Sequence, residues 1–149
     1  MDLHDSIEID RSPDRVWDWL SDFDKKRQWM KGLLEEQWVE GVKGAKGSRF
    51  IVKIKEGPSV TPYEGTVLEA QKPRLLRSTL TGGCGKTPMT MEVGYRLIDL
   101  GGRTQLDYDC DAKLPAGGLL KLMMPLLAWF GKKQARSFHR TLKKLAEAE

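Results

Sequence analysis

Alternation with a period of two dominates the middle of the chain. Met89, Met91, Val93, Tyr95 and Leu97 fall on one face, with Glu92 and Arg96 on the other. Further on, Leu106, Tyr108, Cys110, Ala112 and Leu114 alternate with Asp107, Asp109 and Asp111. This pattern predicts two strands, each with one dry face and one wet face. Weaker versions predict strands over Leu3–Ile9, Leu34–Glu40, Arg49–Lys55, Pro62–Ala70 and Leu75–Thr81, separated by glycine and proline. Between the first two, Ser12-Pro13 reads as a helix cap followed by a first-turn proline. A short helix is expected there with Val16, Trp17 and Leu20 turned inward, then a second over Asp24–Trp29.

The period changes after Gly118. Taken at 100° per residue, Leu120, Met124, Leu127, Gly131, Ala135, Phe138, Leu142 and Leu145 make one stripe. Lys132, Lys133, Arg136, Arg140, Lys143 and Lys144 lie opposite, which predicts a long amphipathic helix to the C-terminus. Pro125 should kink or break it, because proline cannot donate to the helix ladder. Gly131, on the inward stripe, either leaves a space facing the sheet or lets the helix approach it closely. The expected order is one strand, two short helices, six strands and a long helix. Tight connections make neighbouring strands antiparallel, so the chain reads as an α+β fold: a curved seven-stranded antiparallel sheet around its terminal helix.

Composition narrows the function classes. The 149 residues suit one domain spanning 1–149, and no segment is apolar enough to cross a membrane as a helix. The N-terminal segment lacks the basic and apolar regions of a signal peptide, so a cytoplasmic location is expected. Of 25 Lys and Arg against 21 Asp and Glu, residues 118–149 hold seven and two, so the basicity belongs to the helix. No aromatics interleave its basic face, which is expected to be a solvated surface and not a nucleic-acid site. Cys84 and Cys110 match no zinc or redox spacing and read as reduced thiols, with Cys110 buried. Gly85-Lys86-Thr87 lacks the upstream glycine and the following helix of a phosphate loop. No metal-ligand cluster is visible, and nothing calls for a cofactor.

Four stretches carry a resemblance: IEIDRSPDRVWDWLSDFDKKRQWM at 7–30, GVKGAKGSRF at 41–50, EGTVLEAQKPRLLRSTL at 64–80, and the terminal helix. Together they resemble the SRPBCC superfamily of START-like lipid carriers and birch-pollen-allergen-like proteins, and are most similar to its polyketide cyclase/dehydrase group. The resemblance implies a helix-grip fold with an apolar cavity between sheet and helix, holding a lipid, sterol, polyketide or other hydrophobic small molecule.

The inward faces then supply candidate ligand-binding residues. Met89, Met91, Tyr95, Tyr108 and Cys110 on the sheet would face Met124, Leu127, Gly131 and Phe138 on the helix. Methionine adapts to ligands with few polar groups, and each tyrosine offers one oriented hydroxyl. Trp29 resembles the aromatic that the family places near the cavity mouth, and reads equally as a structural anchor. His4 and His139 are the two histidines; His139 falls near the stripe's edge, where a surface position is expected, with Gln134 close by. No carboxylate or histidine is expected to point inward as a base. Leu119, Leu122, Leu126 and Trp129 lie on the outward side of the helix, as a homodimer contact, a membrane-surface contact or a patch covered by the Gly82–Pro88 loop. Carriage of a hydrophobic small molecule is the function expected first. The alternatives are a polyketide cyclase/dehydratase-type enzyme and a partner- or membrane-surface-binding protein.

Overall fold

A computed structural model describes residues 1–82, 89–113 and 118–149, the side chains of residues 118–121 excepted. Cys84, the Gly85-Lys86-Thr87 segment, Leu114, the loop proposed to cover the outward patch and the side chains of Leu119 and Leu120 lie outside that description. The elements are β1 (Asp2–Ile9), α1 (Pro13–Ser21), α2 (Phe23–Trp29), β2 (Leu33–Glu40), β3 (Arg49–Glu56), β4 (Ser59–Gln71), β5 (Leu75–Gly82), β6 (Met89–Asp99), β7 (Thr104–Lys113) and α3 (Gly118–Glu147). The seven strands form one antiparallel sheet in the order β1-β7-β6-β5-β4-β3-β2. Thus β2 to β7 run as a meander, and α1 and α2 carry the chain from β1 on one edge to β2 on the other.

Local chemistry explains the corner between the strands. The Ser12 hydroxyl accepts from the Arg15 N–H, and Pro13 occupies the first turn of α1. Asp22 both ends α1 and caps α2, its carboxylate accepting from the Lys25 N–H at 3.1 Å. The buried face of this corner presents Val16, Trp17, Trp19, Leu20 and Trp29. They pack with Ile9, Leu97, Leu106, Leu142 and Ala146 into one core cluster, while Leu33, Phe50, Val52, Tyr63 and Val67 make a second across the other half of the sheet.

The terminal helix is continuous, and it differs from expectation in the phase of its buried stripe. Pro125 lies on its exposed side and interrupts the hydrogen-bond ladder there without ending the helix, which runs unbroken from Gly118 to Glu147. The buried stripe is centred one position further on: Ala135, His139, Leu142 and Ala146 are buried, while Phe138 and Leu145 are half-buried. His139 is therefore a core residue, 2% exposed, and not a surface one. Gly131 serves close approach: a Cβ there would sit 3.0 Å from Leu3 Cδ1 on β1. No helix among the described residues is long and apolar enough to cross a membrane.

Candidate functional site

Strand register assembles the polar part of the site. Asp5 on β1 pairs with Tyr108 on β7, and Tyr108 pairs with Tyr95 on β6, so three side chains form a row across neighbouring strands on the inner face. Above this row α3 sets His139. Its Nδ1 lies 2.7 Å from Asp5 Oδ2 and its Nε2 lies 3.2 Å from the Tyr95 hydroxyl. The imidazole packs edge-on to both tyrosines, 4.8 Å from the Tyr108 ring and 5.7 Å from the Tyr95 ring. Trp29 closes the aromatic group, 6.4 Å from Tyr95 and 6.2 Å from His139.

Electrostatics assigns the protons. A carboxylate only accepts, so Nδ1 carries the hydrogen toward Asp5, leaving Nε2 to accept from Tyr95. Burial pushes the His139 pKa below its ordinary value of 6.5, opposed by the hydrogen bond and charge of Asp5, so the ring is neutral at pH 7. Burial raises Tyr95 and Tyr108, with smaller contributions from Cys110 and Asp5 at the first and from Tyr95 and Cys110 at the second. Both phenols stay protonated. Arg136 Nη1, 3.8 Å from Asp5 Oδ1, is the other charge beside the carboxylate. The result is a buried chain, Tyr95 to His139 to Asp5, with the protonated Tyr108 packed beside it.

Tyr95 and His139, with Tyr108, line one part of a chamber of about 280 Å³ between the two core clusters, and Asp5 is not on its wall. Its apolar wall includes Leu33, Val52, Leu76, Leu80, Val93 and Met91, and its helix side Gly131, Ala135 and Phe138. Of the residues expected there, Trp29, Met91, Tyr95, Tyr108, Gly131 and Phe138 line the chamber, as does Gln134. Met89 lines a neighbouring cleft with Met30, Met91 and Phe138 instead. Cys110 is buried between Leu3 and Val93 in the register and is not on the wall. Met124 and Leu127, two turns and one turn before Gly131, are half-buried and do not reach it. His4 is exposed on the opposite face of β1. Leu122, Leu126 and Trp129 are exposed, Leu122 to 80%, alongside Met123 and Phe130.

Sequence reasoning missed an inward carboxylate and histidine, and both are present. Asp5 shares the phase of Leu3, Ile7 and Ile9 on β1, a signal that was legible as a polar residue on a dry face. Lys26 and Ser78 were also missed; both line the chamber.

The fold recurs in solved structures at low identity. A conserved protein from Geobacillus kaustophilus matches 98% of this chain over 95% of its own, at 16% identity and a TM-score of 0.79. The Zhui aromatase/cyclase from Streptomyces sp. R1128 matches 99% over 93%, at 14% identity and 0.77. A START superfamily protein from Mycobacterium smegmatis matches 99% over 97%, at 15% identity and 0.73. No curated protein matches in sequence. The family model described as polyketide cyclase / dehydrase and lipid transport matches residues 1–147. The chain belongs to that family, and its helix-grip architecture is that of the SRPBCC superfamily.

Proposed function

We propose that the protein binds a hydrophobic small molecule in the chamber between the sheet and α3, with a polar group of the ligand at the Tyr95–His139 end. The observation that carries this reading is the chamber itself: an apolar wall drawn from both core clusters, with a few convergent polar groups. The family description, which includes lipid transport, supports it. At about 280 Å³ the chamber sits at the lower edge of the usual range for ligand pockets, roughly 300–1,000 Å³. A compact ligand, or one whose tail leaves the chamber, suits it best.

The test is native mass spectrometry of the purified protein, followed by identification of any released compound, repeated on Ser78→Leu. Ser78 lines the wall at the centre of β5, so leucine there occupies chamber space without severing a side-chain hydrogen bond among the described residues. Uptake should fall at least about tenfold while the melting temperature changes little. Unchanged uptake would place the ligand elsewhere. Gly131→Leu is a poorer variant, because it presses on Leu3 before it enters the chamber.

The hydrogen-bonded chain favours a second reading, a cyclase- or dehydratase-type enzyme. Neutral His139 can accept an acidic α-proton by relay, the Tyr95 oxygen taking up the substrate's proton as its own passes to Nε2, and the protonated Tyr108 phenol can donate to the developing enolate. Offered a poly-β-keto substrate, Tyr95→Phe should then lower kcat by about 10²-fold while KM stays within about threefold of wild type. A change in KM alone would make Tyr95 a binding group.

A further inference from the structure

A second chamber of about 530 Å³ adjoins the first on the side of α1, α2 and β2. Leu20, Lys26, Phe50, Leu76 and Ser78 line both, so the two meet there. Glu36 and Trp38 stand two apart on β2, hence on the same face, and both line only the outer chamber. The Glu36 side chain is 2% exposed; its Oε1 accepts from Lys26 Nζ at 2.8 Å. Its Oε2 is buried with no hydrogen-bond partner among the described residues, and the same is true of Trp38 Nε1. Trp38 is held by packing on Phe50, ring centroids 5.0 Å apart. Two neighbouring residues of one strand face that line a chamber continuous with the apolar one thus carry a buried acceptor and a buried donor, both unpaired among the described residues. Buried polar groups ordinarily find partners.

We infer that this outer chamber is a head-group subsite for a neutral ligand group that both donates and accepts, an alcohol or a carboxamide. Such a group donates to Glu36 Oε2 and accepts from Trp38 Nε1, while the apolar remainder passes Phe50 and Leu76 into the inner chamber. At this pair a carboxylate is selected against: it has no hydrogen for Glu36 and brings a like charge to it, while Lys26 is already engaged and the other lysines of the lining, Lys43 and Lys72, are exposed to solvent. This inference rests on the small-molecule reading above and adds the chemistry of the ligand's polar end.

The experiment is displacement of the neutral fluorophore N-phenyl-1-naphthylamine by dodecanol, dodecanamide and sodium dodecanoate, one chain carrying three heads. The alcohol and the amide should bind at least about tenfold tighter than the carboxylate, the effect of one hydrogen bond to a charged group. In Glu36→Gln that preference should shrink to within about twofold, and in Trp38→Phe all three heads, each able to accept from the indole, should weaken together by at least about threefold, with the fluorophore's own Kd unchanged in both. Trp38→Phe keeps the packing on Phe50 and removes only the donor. Equal affinity for the three heads, a preference that survives Glu36→Gln, or affinities unchanged in Trp38→Phe would overturn the subsite while leaving the apolar chamber standing. If neither fluorophore nor any chain binds, the small-molecule reading falls and the subsite with it.

Discussion

Replacing His139 by leucine should destabilise the fold by about 3–5 kcal/mol, and replacing Asp5 by leucine as well should recover a large part of that loss. The single substitution removes the partner at 2.7 Å from a carboxylate whose side chain is 4% exposed, leaving it, among the described residues, Arg136 at 3.8 Å. Asp5→Leu alone should cost less, about 1–3 kcal/mol, because it strands a neutral Nδ1–H donor and not a charge. The double variant strands neither, so denaturant unfolding of the four proteins should show a favourable coupling. Strict additivity would mean that the two side chains do not act as a unit. Acid provides a second signature. Burial holds His139 below 6.5 in the folded chain, so the unfolded chain takes up a proton that the folded chain refuses. The stability from this group is full above pH 6.5 and declines as pH falls below it toward the folded value. Melting temperature should drop between pH 7 and 5.5 in the wild type, and this part of the drop should vanish in His139→Leu.

The elements of the fold were legible because each strand face and helix stripe repeats a simple period. Observed strands begin and end within a few residues of their expected limits, β4 extending furthest, from Pro62–Ala70 to Ser59–Gln71. The caps at Ser12 and Pro13 were readable because capping is local. Strand order was less so: that β1 pairs with β7 across the whole chain follows from closing the sheet around a helix, not from any local signal.

The site was only half legible, for reasons of geometry. Tyr95, Tyr108 and Met91 lie on the chamber wall as expected because strand parity fixes their side. Met124 and Leu127 were misplaced because periodicity gives a helix face but not how far along the sheet that face stays in contact. The polar chain was missed because a histidine on a helix with many lysines reads as surface, and only the register bringing Asp5 beside Tyr108 shows that position 139 has a partner. Glu36 and Trp38 share a face in the sequence too, yet their unpaired atoms become visible only once every neighbour is placed.

Truncating Trp29 to alanine should cost about 3–5 kcal/mol, whereas Trp29→Phe should cost about 1–3 kcal/mol, and the difference separates two functions of one side chain. The indole is 1% exposed and belongs to the core cluster beneath α1 and α3. Its Nε1–H donates at 2.9 Å to the carbonyl of Trp19. That carbonyl lies in the last turn of α1, which ends at Ser21, and so has no partner four residues ahead within the helix. Phenylalanine keeps most of the buried ring but strands this carbonyl; alanine loses both and leaves a hole. The hole opens into the chamber, because Trp29 is also part of its wall. Trp29→Ala should therefore accept bulkier apolar ligands than wild type, and Trp29→Phe should not. Equal destabilisation by the two substitutions, measured by denaturant unfolding, would mean that the hydrogen bond to α1 carries nearly all of the stabilisation. Trp29 would then set the angle between α1 and α2, and the width of the chamber would follow from that angle and not from the ring itself.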